Sequence, residues 1–154
     1  MIDSADKAGI SVRPHVKTHK NVEIALMQVG NDQSRGIVCS TVRELEYFAA
    51  AGFKDLLLAC PLPIPKLPRI EALLSSGCLV SVLVDNVEHV RALEHHFREL
   101  NSRLRVFVKL DTGYHRAGVS MEAPDGVQLC ASLVSSPVLQ FYGVYSHSGV
   151  ANCW

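Results

Sequence analysis

The sequence predicts an α/β protein whose parallel strands alternate with helices, and three observations carry that expectation. Short β-branched runs alternate with longer helical stretches along the whole chain, as they do in successive βα units. Two runs, LVSVLV and LRVFVKL, are apolar at nearly every position, as strands covered on both faces should be. Glycines and capping residues fall where the helical stretches should stop and start. A doubly wound open sheet and a (β/α)₈ barrel both satisfy this pattern.

In chain order, strands are expected over residues 11–17, 36–40, 55–60, 79–85, 104–110 and 139–147, and helices over 22–29, 42–51, 65–75, 87–100 and 124–135. The first run carries Pro14, which cannot donate to a strand ladder, so the strand can begin after it. Thr41 and Glu44 have the spacing of a capping box at the start of the second helix, and Gly52 sits where that helix should stop. CPLPIPKLP is a proline-studded connection into the third helix, which ends before Gly77. Asn86 caps the fourth helix.

The 154 residues include fifteen acidic and fifteen basic side chains, and 48% are hydrophobic. Such a chain is an ordinary globular one with no net field to gather nucleic acid or anionic lipid. MIDSADKAGI lacks an apolar leader core, and no stretch reaches the roughly 18 apolar residues of a membrane span, so the expected location is cytoplasmic. Cys39, Cys60, Cys78, Cys130 and Cys153 form an odd set with no CxxC spacing, which argues for free thiols.

In either α/β architecture, reactive groups gather at the carboxyl ends of strands. The first run ends in Lys17-Thr18-His19-Lys20 and the second in Ser40-Thr41. The fourth ends in Asp85, the fifth in Asp111-Thr112-Gly113-Tyr114-His115-Arg116, and the sixth in Tyr145-Ser146-His147. A lysine closing an apolar strand would be partly desolvated, which favours the neutral amine that attacks carbonyls. Lys17 can equally be a solvated residue at a strand–loop junction. His115 and His147 can be hydrogen-bonded structural histidines, and Arg116 a surface ion-pair partner. His95 and His96 fall on a charged helix and read as solvated. Phosphate-loop, zinc-protease and serine-hydrolase signatures are absent.

Three segments together narrow these alternatives. RPHVKTHK (13–20) is similar to the cofactor-lysine segment of the D-serine dehydratases and D-threonine aldolases, which are fold-type III pyridoxal-phosphate enzymes. KLDTGYHRAGV (109–119) resembles the fifth-strand segment of that group, and GVYSHSG (143–149) its sixth-strand segment. The resemblance implies a partial alanine-racemase-like (β/α)₈ barrel of about six of the eight βα units, with pyridoxal 5'-phosphate as cofactor. It implies that Lys17 holds the cofactor as a Schiff base and takes the substrate α-proton, with Lys20 as the competing lysine. It places Arg116 near the cofactor's phenolic oxygen, His147 against the pyridine ring, Tyr145 close by, and Ser40 or Thr41 at the cofactor's edge. KLDTGYHRAGV tilts the reading towards dehydration of D-serine to pyruvate and ammonia. D-threonine aldol cleavage and a non-catalytic, partner-pairing role are the alternatives.

A complete barrel takes about 250 residues, so residues 1–154 are expected to form an incomplete N-terminal cofactor-binding domain without the C-terminal β domain. Zinc belongs to the family, and its ligands are expected to be absent from this chain, as is dehydratase activity of the chain alone. VANCW departs from the family's continuation. A barrel so cut leaves its first and sixth strands as open edges. A homodimer would complete the sheet, and relaxation into an open α/β layer is the alternative.

Overall fold

A computed structural model of the chain describes residues 2–98, 103–120 and 124–149. The helices are α1 (Ile2–Lys7), α2 (Val22–Gln28), α3 (Val42–Ala50), α4 (Leu67–Ser75), α5 (Val87–Phe97) and α6 (Pro124–Val134). The strands are β1 (Ile37–Cys39), β2 (Asp55–Pro61), β3 (Leu79–Val84), β4 (Leu104–Asp111), β5 (Val119–Ser120) and β6 (Leu139–Ser146). Hydrogen bonding orders them β1-β2-β3-β4, with β5 and β6 both beside β4. The chain forms two compact units, Met1–Ala59 with Arg69–Val80, and Cys60–Pro68 with Ser81–Trp154.

In the first unit β1 and β2 pair in parallel, with Ile37 opposite Leu56 and Cys39 opposite Leu58. Helix α3 covers them because Val42, Leu45 and Phe48 recur at helical spacing and all are buried. Thr41 caps it, its hydroxyl accepting the Glu44 N–H at 3.1 Å. The reciprocal bond differs from the one expected, since the Glu44 carboxylate accepts from the Ser40 N–H (2.7 Å) and not from Thr41.

The first expected strand is corrected: residues 11–17 make one parallel bridge, His15 to Val38, and no ladder. The Val38 N–H donates to the Pro14 carbonyl at 2.8 Å, and the Val16 N–H donates to the Val38 carbonyl at 2.9 Å. Pro14 has no N–H to extend the pairing backwards. Forwards, the chain turns at once, the Lys20 N–H donating to the Val16 carbonyl at 2.9 Å.

In the second unit β4 pairs in parallel with β3, from Ser81 opposite Arg105 to Val84 opposite Val108. Residues Val80 to Val84 of β3 are all buried, Ser81 included, as a run apolar at nearly every position predicted. On β4 the burial alternates. Leu104, Val106 and Val108 are buried, as are Val90, Leu93 and Phe97 of α5 and Leu129 and Leu133 of α6. Strand β6 follows β4 from Leu104 opposite Leu139, shifts register between Val106 and Phe107, and continues to Leu110 opposite Ser146. Gly143 lies at the shift with φ +138°, a backbone that L side chains rarely adopt.

Helix α1 and the two-residue β5 are additions to the expected elements. Both are too short for hydrophobic periodicity to reveal. Strand β5 depends on Gly118, which has φ +118° and would place a Cβ 2.7 Å from the Asp111 nitrogen. Gly118→Ala is therefore expected to destabilise the fold by about 1–3 kcal/mol. Gly30→Ala, whose Cβ would meet nothing within 4 Å, should cost less. Urea midpoints of the two variants compare them directly.

Candidate functional site

The segment after His15 forms the loop that carries Lys17. Lys17 is exposed, so the desolvation expected of a strand-closing lysine is not found, because the strand itself is missing. Its ammonium makes no hydrogen bond or ion pair among the described residues. Lys20 differs. It has φ +50°, and its ammonium lies 3.2 Å from Glu44 Oε1 as an ion pair without hydrogen-bond geometry. Glu44 is 6% exposed and holds the Ser40 N–H with its other oxygen.

Ser40 and Thr41 stand at the carboxyl end of β1. The Thr41 hydroxyl is occupied as the helix cap, whereas the Ser40 Oγ lies 3.5 Å from His15 Nε2. Two residues missed by the sequence reading therefore shape this loop, His15 and Glu44. The capping-box spacing pointed to Glu44 as a cap, but nothing in the sequence showed that its carboxylate would reach Lys20.

Burial pushes the neighbouring Cys39 thiol up to about 12, with the Glu44 charge adding to the effect. The folded chain then keeps a proton that an unfolded thiol, ordinarily at 9.0, has released. Stability should accordingly be unaffected below that value and fall as pH rises through the interval towards about 12. The slope from this group is on the order of 1.4 kcal/mol per pH unit. Urea midpoints at pH 8 and pH 10 check this, and Cys39→Val should flatten the difference.

In the second unit, Asp111 at the end of β4 organises the DTGYHR turn. Its carboxylate accepts from the Gly113 and His115 N–H groups, each at 3.0 Å, and lies 2.9 Å from His115 Nδ1. These bonds, chiefly the His115 N–H, hold the carboxyl below its ordinary range. His115, with φ +54°, is exposed and serves the turn.

The turn presents Tyr114 between two of the expected site residues. The Arg116 guanidinium sits 5.1 Å from the Tyr114 ring centroid, and the His147 ring meets Tyr114 edge-on at 5.4 Å. A Cβ at Gly149 would lie 2.8 Å from the Tyr114 ring, so glycine there leaves room for it. Tyr145, two residues before His147 on β6, is half-buried, and burial raises its phenol above the ordinary value against the opposing charge of Arg116. It stands opposite Lys109, which is 4% exposed and whose ammonium makes no hydrogen bond or ion pair among the described residues. Tyr114 and Lys109 were not singled out by residue type, since each reads as an ordinary member of its turn or strand.

Of the helical histidines, His95 is exposed as expected, whereas His96 is half-buried against Phe97, with ring centroids 4.9 Å apart. Cys39 and Cys78 are buried free thiols and Cys60 and Cys130 are half-buried ones, while Cys153 and the VANCW tail lie outside the described residues. Among the described residues no group of three His, Cys, Asp or Glu side chains is placed to hold a metal ion. No described helix is long and apolar enough to cross a membrane.

The model of the alanine racemase N-terminal domain matches residues 3–153. The chain belongs to that family. Within the alanine racemase N-terminal family it is 36% identical to D-serine dehydratase of Dictyostelium discoideum, over 97% of this chain and 40% of that protein. It is 31% identical to D-threonine aldolase of an Arthrobacter species, over 94% of this chain and 38% of that protein. A solved structure of a D-threo-3-hydroxyaspartate dehydratase H351A mutant superposes with a TM-score of 0.87 at 33% identity, covering 97% of this chain and 38% of that one. The chain therefore spans about two-fifths of the length of the relatives it matches. Its six-stranded sheet with helices is part of the alanine-racemase-like barrel, which sets aside the doubly wound alternative.

Proposed function

We propose that this chain is the cofactor-binding part of a pyridoxal-phosphate-dependent lyase acting on a D-3-hydroxy amino acid, with D-serine dehydration as the reaction. The observation that carries the reading is the 36% identity to D-serine dehydratase over 97% of the chain. The donor set fits the cofactor. An aldehyde needs an uncommitted primary amine, and Lys17 has one where Lys20 is tied to Glu44.

The assignments follow motif by motif. By the motif resemblance, Lys17 would hold the cofactor's aldehyde, with Ser40 or Thr41 at the cofactor's edge and Arg116, Tyr145 and His147 as its further contacts. The Thr41 hydroxyl already accepts from Glu44, which favours Ser40 of the two. Bound, the cofactor supplies an electron sink for bond breaking at the substrate Cα. Lys17 would be the base that takes the substrate α-proton on its amine.

Aldol cleavage is the second reading, favoured by the 31% identity to a D-threonine aldolase. The test is an assay of the full-length protein that contains this chain, with D-serine and D-threonine as substrates. Pyruvate from D-serine is the expected product. Glycine from D-threonine with no pyruvate would replace dehydration by cleavage, and neither product would overturn the lyase reading.

A further inference from the structure

The loop that carries Lys17 is braced by two histidines in the same way. The Lys17 backbone N–H donates to His15 Nδ1 at 3.2 Å, and two residues into the next turn of the motif the Asn21 N–H donates to His19 Nδ1 at 3.1 Å. Each ring thus accepts from the backbone two residues ahead, in the manner of an Asx turn, and an accepting Nδ1 carries no proton. A neutral ring must then hold its proton on Nε2. The other side of each ring agrees with that tautomer. His19 Nε2 stands 3.0 Å from Gln28 Oε1, an acceptor, and His15 Nε2 stands 3.5 Å from the Ser40 hydroxyl, which can accept.

The two histidines tie the loop to different supports. His19 anchors it to α2 twice, through Gln28 and through Asn21, whose side chain caps that helix by accepting the Ile24 N–H at 3.0 Å. His15 belongs to the single bridge with Val38 and turns its ring towards the end of β1. Between them the Lys20 N–H closes on the Val16 carbonyl, and the Lys20 ammonium is drawn to Glu44. Lys17 is the residue this bracing leaves outward, exposed and uncommitted. With no strand ladder at residues 11–17, the histidines replace ladder bonds in fixing where the lysine projects.

We infer that His15 and His19 are positioning residues, each ring accepting at Nδ1 and carrying its proton on Nε2, that present the Lys17 amine and link the Lys17 backbone to the Ser40 hydroxyl through His15. The inference rests on the reading of Lys17 as the cofactor lysine, and its test has a part that does not. Long-range nitrogen–proton correlation spectra of the cofactor-free chain report the tautomer of each ring. Both rings should show protonated Nε2 and unprotonated Nδ1 at neutral pH, and a proton on Nδ1 of His15 overturns the inference. The second part incubates the chain with pyridoxal phosphate, reduces with borohydride and maps the modified lysine over time. His15→Ala should slow labelling of Lys17 about tenfold, the effect of losing a hydrogen bond that holds the loop. His15→Asn, which keeps an acceptor where Nδ1 was, should recover to within about threefold of the parent chain. Equal labelling in His15→Ala and the parent overturns the inference, as does a His15→Asn chain no faster than His15→Ala. A parent chain unlabelled at Lys17 sinks the cofactor reading instead, and the tautomers still decide the bracing.

Discussion

Lys17→Ala abolishes reductive labelling by pyridoxal phosphate, and Lys20→Ala leaves it intact. That outcome is expected although the two lysines lie three residues apart on one loop and are both exposed. They differ in what holds them. An amine drawn to a carboxylate at 3.2 Å is turned away from a carbonyl, and Glu44, at 6% exposure, is poorly placed to exchange that partner for water. Lys17 has no such tie among the described residues. Lys17→Arg should fail as completely as Lys17→Ala, because a guanidinium keeps the charge without a nucleophilic amine. Borohydride reduction followed by peptide mass mapping reads all three variants. A label on Lys20 in the parent chain, or any retained label in Lys17→Ala, would remove the central assignment.

The largest expected loss of stability is at Phe48. Its side chain is fully buried on α3 and meets Phe53 edge-on at 5.7 Å and Tyr47 at 5.1 Å. The Phe53 N–H also donates to the Phe48 carbonyl at 3.1 Å, so the ring closes the turn between α3 and β2 against its own partner. Phe48→Ala removes the buried ring and leaves a cavity that rigid neighbours cannot fill, at a cost of about 3–5 kcal/mol. Since a domain is commonly stable by about 5–15 kcal/mol, the variant should lie near the limit of folding. Tyr47, half exposed on the next position of the helix, provides the contrast, and Tyr47→Ala should cost clearly less. Urea unfolding followed by circular dichroism measures both, and equal midpoints would show that Phe48 is not a core residue.

Several local features could be read directly from residue types. The alternation of apolar runs and helical stretches located β1 to β4, β6 and helices α2 to α6, since burial on both faces of a strand or along one stripe of a helix leaves its period in the sequence. Thr41 and Asn86 were legible as caps because their short polar side chains act on the next turn of their own chain. The family was legible for a related reason. Its three motifs are contiguous segments, and contiguity is what a sequence shows.

Contacts between distant segments were not legible. Residues 11–17 have the composition of a strand, and only the tertiary structure decided that Pro14 and the turn at Val16 leave one bridge. The reach of Glu44 to Lys20, 24 positions earlier, depends on how the loop folds over the end of β1. The placing of Tyr114 against both Arg116 and His147 depends on the Asp111 turn meeting the end of β6. The sequence by itself determined the order of βα units, the caps and the motif that singles out Lys17. Only the tertiary structure decided which of the two lysines is tied down and what braces the other. Those outcomes rest on distances between side chains far apart in the chain, on which local periodicity carries no information.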